Sequence, residues 1–436
     1  MEPNVHSLPR RAGLLCLASA SVLLLVATGV DPALGDADFA AAIAADPGAA
    51  RLHSVLLHWS WVLFVPGLLS LLAPIRRRGR VLATVAWPIT ALGLATFAGL
   101  TLSDFFGLAV IDASDVATFE RLEDHVGGFA WLAAGWQTPG FVGWLLSMLL
   151  VPLAAARAGL VGRWYPAGAI AGFLLYFLFA VESVPLSLTG PAVLTVTNVA
   201  LAVRRWNDAP LPGEDGGFVA FRRAFGRWCL IGAPVALAVG FATMPGSAFA
   251  LDDLSSHPAL AEASAFFLHL GWLLFIPGVI EVAAVATGRG RRFRYVAVAV
   301  ALLGLVHWNG LMIGDYASLG AEQLLTTAQV DEVNRVLESD TALVLGIQLP
   351  GMLGTLVGLI LVPAAAARAG LVRRSAPVLA GLGVLAFFLL TIGRVPALAA
   401  PALWLVAYGL LARGMARRDV TGTGSPEAVE DGAVRA

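Results

Sequence analysis

Seven side chains able to carry proton or ligand chemistry lie in stretches otherwise too apolar for them. His58 opens HWSWVLFVPG and His269 opens its near-copy HLGWLLFIPG. Asp104 and Asp315 stand in GLTLSDFFGL and GLMIGDYASL, Gln137 and Gln348 open QTPGFVG and QLPGMLG, and His307 has no histidine counterpart. A neutral imidazole, a carboxylate and an amide can share protons, or hold a cation or small polar ligand, where lipid excludes water. On this reading the histidines and aspartates handle a proton or cation and the glutamines orient the ligand. A structural account competes with it: His58 caps a loop, Asp104 emerges into water, and Trp61 and Trp272 belong to an interfacial aromatic belt.

Pro66-Gly67 and Pro277-Gly278 fall in mid-helix, and Pro139-Gly140 and Pro350-Gly351 fall early in another helix of each half. Proline removes a backbone hydrogen bond and glycine permits close approach, so kinks or breaks are expected there, with Pro66, Gly67, Pro277, Gly278, Pro139 and Pro350 as hinges.

The elements that position these residues are membrane helices. Of 436 residues 58% are hydrophobic and 13% charged, and the mean hydropathy is +0.81, which excludes an ordinary soluble domain. The fold class expected is all-α and polytopic. Twelve apolar runs fall near 12–30, 53–74, 81–103, 135–156, 166–185, 187–203, 226–247, 265–287, 295–315, 343–367, 377–393 and 396–413. All basic residues except Arg51, Arg121, Arg335 and Arg394 fall in the termini and loops of one side. Basic residues are retained in the cytoplasm, so both termini are expected inside the cell membrane.

The chain reads as one unit written twice. From His58 to Pro185 it aligns without a gap to His269 to Pro396, at an offset of 211 residues, and PLAAARAGLV (152–161) returns as PAAAARAGLV (363–372). Six helices per unit keep the second in the orientation of the first, which makes a parallel repeat. The expected organisation is a first membrane repeat over 1–206, a cytoplasmic linker over 207–221, a second repeat over 222–418 and a disordered tail over 419–436. Most of the acidic residues lie in long outer loops, and TAQVDEVNRVLESD (327–340) has the apolar spacing of an amphipathic outer helix.

The HLGWLLFIPG helix, the arginine turn after it, GLMIGDYASL and PAAAARAGLVRR together resemble a class of six-helix bacterial integral membrane proteins of unknown function, here duplicated and actinobacterial in character. The resemblance covers nearly all of both halves and implies the six-helix unit, but no activity. The six-plus-six plan is also similar to that of the major facilitator transporters, yet IRRRGRVLA and TGRGRRFRY lack the aspartate of their signature loop.

The implied partners are the bilayer and a small solute or ion, and the function expected is that of a carrier or permease with its site between the repeats. A non-transporting scaffold or sensor with acidic outer loops is the alternative, followed by a redox protein with haem on His269 and His307. A net charge of −1 with scattered arginines argues against nucleic acid. No motif for catalysis, cofactor or metal binding is present. Cys16 and Cys229 stand alone in their segments as small core residues.

Overall fold

The computed structural model describes residues 8–36, 38–208, 216–246, 254–286, 290–390 and 394–422, and these contain helices and no strand. Parts of the expected linker, tail and arginine turn GRGRRFR, and of the outer loop 248–264, lie outside the described residues. The protein is an all-helical, multi-pass membrane protein: ten helical runs among the described residues are long and apolar enough to cross a bilayer.

In chain order the first elements are α1 (Leu8–Gly29), α2 (Phe39–Ala45), α3 (Pro47–Leu72), α4 (Arg80–Pro88), α5 (Ala95–Leu100), α6 (Ser103–Ala113) and α7 (Val116–Gly127). They are followed by α8 (Ala130–Leu132), α9 (Thr138–Arg157), α10 (Trp164–Phe179), α11 (Leu186–Arg205) and α12 (Gly216–Thr243). The rest are α13 (Pro258–Val285), α14 (Arg291–Leu311), α15 (Ile313–Leu324), α16 (Thr327–Ser339), α17 (Thr341–Leu343), α18 (Leu349–Arg368), α19 (Ser375–Leu390), α20 (Arg394–Ala397) and α21 (Ala399–Gly422). The apolar helices α10 and α19 have 16 residues each. At 1.5 Å per residue that is roughly 24 Å, short of a hydrocarbon layer of about 30 Å.

The helix expected over 81–103 runs on to Ala113, giving a 34-residue run from Arg80. The part from Arg80 to Leu100, roughly 32 Å of helix, is already about as long as the hydrocarbon layer is thick, so α6, which follows a turn at 101–102, lies beyond it. The cause is in the sequence: Phe106, Ala109 and Val110 are buried against Leu122 of α7 and Val333 of α16, and Leu108 packs with Ile43 of α2. The outer loops therefore form a helical cap with its own apolar contacts. Side-chain acceptors start its helices: Asp38 for α2, Asp46 for α3, Asp115 for α7, and Thr326 with Gln329 in a capping box for α16. The apolar face of α16 rests on α6, not on lipid.

Where proline meets helix, two outcomes are seen. α3 and α13 continue as α-helix through Pro66 and Pro277. At the other pair, π-turns at Ala133–Gln137 and Val344–Gln348 lead into α9 and α18, with Thr138 N–H donating to Ala133 O and Leu349 N–H to Val344 O. A proline two residues into a helix has no N–H for the carbonyl four residues back, and the wider turn accommodates the loss. Glycines let neighbouring helices touch: a Cβ on Gly93 would lie 2.6 Å from Gly143 Cα, and one on Gly354 2.7 Å from Gly304 Cα.

Candidate functional site

Polar side chains converge where α3 and α5 meet α13 and α14. The site begins with a helix end. α5 stops at Leu100, and Leu102 N–H turns back to Gly99 O, releasing the carbonyl of Ala98 from its usual partner. His58 Nδ1 takes that carbonyl at 2.8 Å and Thr101 Oγ1 donates to it, also at 2.8 Å. A carbonyl only accepts, so His58 carries its proton on Nδ1 and presents a bare lone pair at Nε2.

His307, from α14, packs its ring on His58 with centroids 4.9 Å apart and planes at 78°. Its Nδ1 donates to Leu303 O of its own helix at 2.7 Å. Both histidines are 0% exposed, and neither Nε2 has a hydrogen-bond partner. Trp59 closes over His307 at 4.3 Å between centroids and donates its indole N–H to Gly346 O at 2.8 Å. Gly346 precedes Pro350 by four residues, so its carbonyl is the one that proline leaves without a helical donor.

His269, from α13, stacks on Trp136 at 3.7 Å and places Nε2 3.3 Å from Thr96 Oγ1. Trp136 donates to Thr96 O at 3.1 Å, and Asn309 Nδ2 donates to Ala95 O at 3.1 Å. His269 and His307, the candidate haem ligands, are each packed on a different aromatic partner, Trp136 and Trp59.

The remaining sequence candidates are distributed elsewhere. Asp104 accepts from Ser54 Oγ at 2.9 Å and lines a cavity of about 10 Å³ near Asp31 and His53, room for about one water. Asp315 is half-buried at the start of α15, and Gln137 is exposed. Gln348 lines a cavity of about 370 Å³ with Trp308, Leu311 and Met352. Glu281 is buried toward the inner end of α13, with Arg222 Nε 3.4 Å away. So His58 and His307 are brought together, and the carboxylates and glutamines do not join them. Thr96, Thr101, Trp59 and Trp136 were not among the candidates. Thr96 alone had a signal, since it occupies the register of His307 in the other half.

No protein-family model, curated protein or solved structure matches this chain.

Proposed function

We propose that the protein is a carrier or permease of the bacterial inner membrane, binding a small solute or ion at the polar seam between two parallel six-helix repeats. On this reading α10 and α19 complete twelve spans, residues 1–206 and 222–418 are the repeats, 207–221 is the linker and 419–436 the tail, and both termini are cytoplasmic. The observation that carries it is the set of buried polar groups from both halves meeting in an apolar bundle, with His58 and His307 at its centre. Burying such groups is costly in a membrane and marks solute or proton paths more often than structural joints. Pro66, Gly67, Pro277, Gly278, Pro139 and Pro350 serve as hinges that let the halves rock about the seam, while Asp104, Asp315, Gln137 and Gln348 belong to the outer approach.

The test is thermal unfolding of the purified protein against ions and small metabolites, followed by flux of any hit into proteoliposomes. A ligand at 100 times its Kd stabilises the folded state by about 2.7 kcal/mol. A hit that is lost in His58→Gln/His269→Gln and that crosses the membrane supports the reading. A panel without hits, together with tight vesicles that pass nothing, overturns it.

A further inference from the structure

Two contacts between the halves occupy the same register. His58 corresponds to His269, and Thr96 to His307, each at the offset of 211 residues. In one contact His269 Nε2 meets Thr96 Oγ1 at 3.3 Å. A hydroxyl both donates and accepts, so this pair closes as a neutral hydrogen bond whichever tautomer His269 adopts. In the other contact the hydroxyl is replaced by His307. There both Nδ1 atoms donate to carbonyls, Ala98 O and Leu303 O. The pair presents two lone pairs and no proton for them to share. A buried acceptor left without a donor costs on the order of 1–3 kcal/mol, and here there are two, on rings whose centroids lie 4.9 Å apart.

From these contacts we infer that His58 and His307 together bind one proton, taken from water, as an imidazole–imidazolium pair joining the two halves. The inference rests on the carrier reading and deepens it by naming the proton as the ion the seam handles. One N–H bond forms at an Nε2, the pair goes from neutral to a single positive charge, and no other bond breaks. The spacing suits this ligand. Ring centroids lie 4.9 Å apart; with about 1.1 Å from centroid to nitrogen on each side, turning the two Nε2 atoms toward each other would bring them to about 2.7 Å, the length of a short N–H···N bond. Two ligands of one tetrahedral metal at about 2.0 Å each would need roughly 3.3 Å between nitrogens.

The charged or titratable groups on the packed elements have their own surroundings. Arg51 binds Asp340 and Asp112, His53 donates to Ala27 O, and Asp104 accepts from Ser54. His269 lies on Trp136, Glu281 near Arg222, and Asp315 at the start of α15.

The test is a proton-uptake titration of the full chain in detergent, from about pH 8 to about pH 4. Wild type is expected to take up about one proton more than His307→Thr, which copies the other contact, and about one more than His58→Gln. Histidine-labelled NMR of wild type reads the pair directly, with two rings leaving the neutral form together as one unit. Equal uptake by wild type and both single variants overturns the inference, and so does a spectrum in which both rings stay neutral throughout. A proton count that stands while vesicles show no flux leaves the site intact and removes only the carrier.

Discussion

Gly99 and Gly310 touch backbone to backbone at the seam: a Cβ built on Gly99 would fall 2.7 Å from Gly310 Cα, and one on Gly310 2.9 Å from Gly99 Cα. They stand at corresponding positions of the two halves, 211 residues apart. Self-contact of corresponding residues is what a twofold axis through that point would produce.

Alanine at either position must push α5 and α14 apart. Gly99→Ala and Gly310→Ala are each expected to destabilise by about 1–3 kcal/mol through overpacking, read as a lower unfolding midpoint in detergent. Gly409→Ala is the control, because a Cβ there meets nothing within 4 Å, and the better helix propensity of alanine should leave it neutral or slightly stabilising. The double variant should cost less than the two singles together, since one gap accommodates both methyl groups. Full additivity would show that the helices are not held by this contact.

Arg51 joins α3 to the outer cap, its Nε 2.6 Å from Asp340 Oδ2 and its Nη2 3.0 Å from Asp112 Oδ2. The Asp340 side chain is only 8% exposed. Arg51→Ala strands that carboxylate, and a loss of about 1–3 kcal/mol is expected. Arg335, paired with Glu332 on exposed helix surface, should be replaceable by alanine without measurable change. Asp340→Asn should cost less than Asp340→Ala, because the amide oxygen can still cap Ala342 and Leu343 as Oδ1 now does. Equal losses in the arginine pair would show that the cap is held by its apolar contacts alone.

Asp115 caps α7 by accepting from Thr118 N–H at 2.6 Å. Hydrogen bonds from the Thr118 side chain and backbone hold its carboxyl below the usual value. A depressed folded-state pKa gives a contribution fully present above the unfolded value, near 3.9, and lost as pH falls through the folded one. The Thr118 amide resonance should therefore titrate below about pH 3.9 in wild type and not at all in Asp115→Asn. An amide that moves at the ordinary carboxylate pH would show an unperturbed cap.

Ten of the twelve expected spans were legible because a helix crossing lipid must be apolar over nearly its whole length. The correspondence of His58 with His269 was legible as a shared sequence register. Which residues meet across the halves was not, because register says what corresponds and not what touches. Depth along a helix also hides rotation about its axis. Gln137 and Asp104 lie at similar depth, yet Gln137 sits in a π-turn and is exposed; one extra residue rotates what precedes it by about 100°. The outer cap was obscured by its charge. Acidic loops read as solvated chain, and only the spacing within 327–340 disclosed a helix.

Thr96 and His269 supply the last prediction, which bears on the seam independently of proton uptake. Their contact, 3.3 Å from Oγ1 to Nε2, is buried, with Thr96 2% and His269 1% exposed. Thr96→Val keeps the shape and removes the hydroxyl, so His269 Nε2 loses its partner and a cost of about 1–3 kcal/mol is expected. Thr96→Ser keeps the hydroxyl and should recover part of it, less the packing of one methyl. In His269→Phe the ring nitrogen is gone, and adding Thr96→Val to that background should cost clearly less than in wild type. The difference between the two steps is the coupling energy of the pair. Unfolding midpoints of the four proteins in one detergent measure it, and a coupling of zero would mean that the halves are joined here by the Trp136 stack alone.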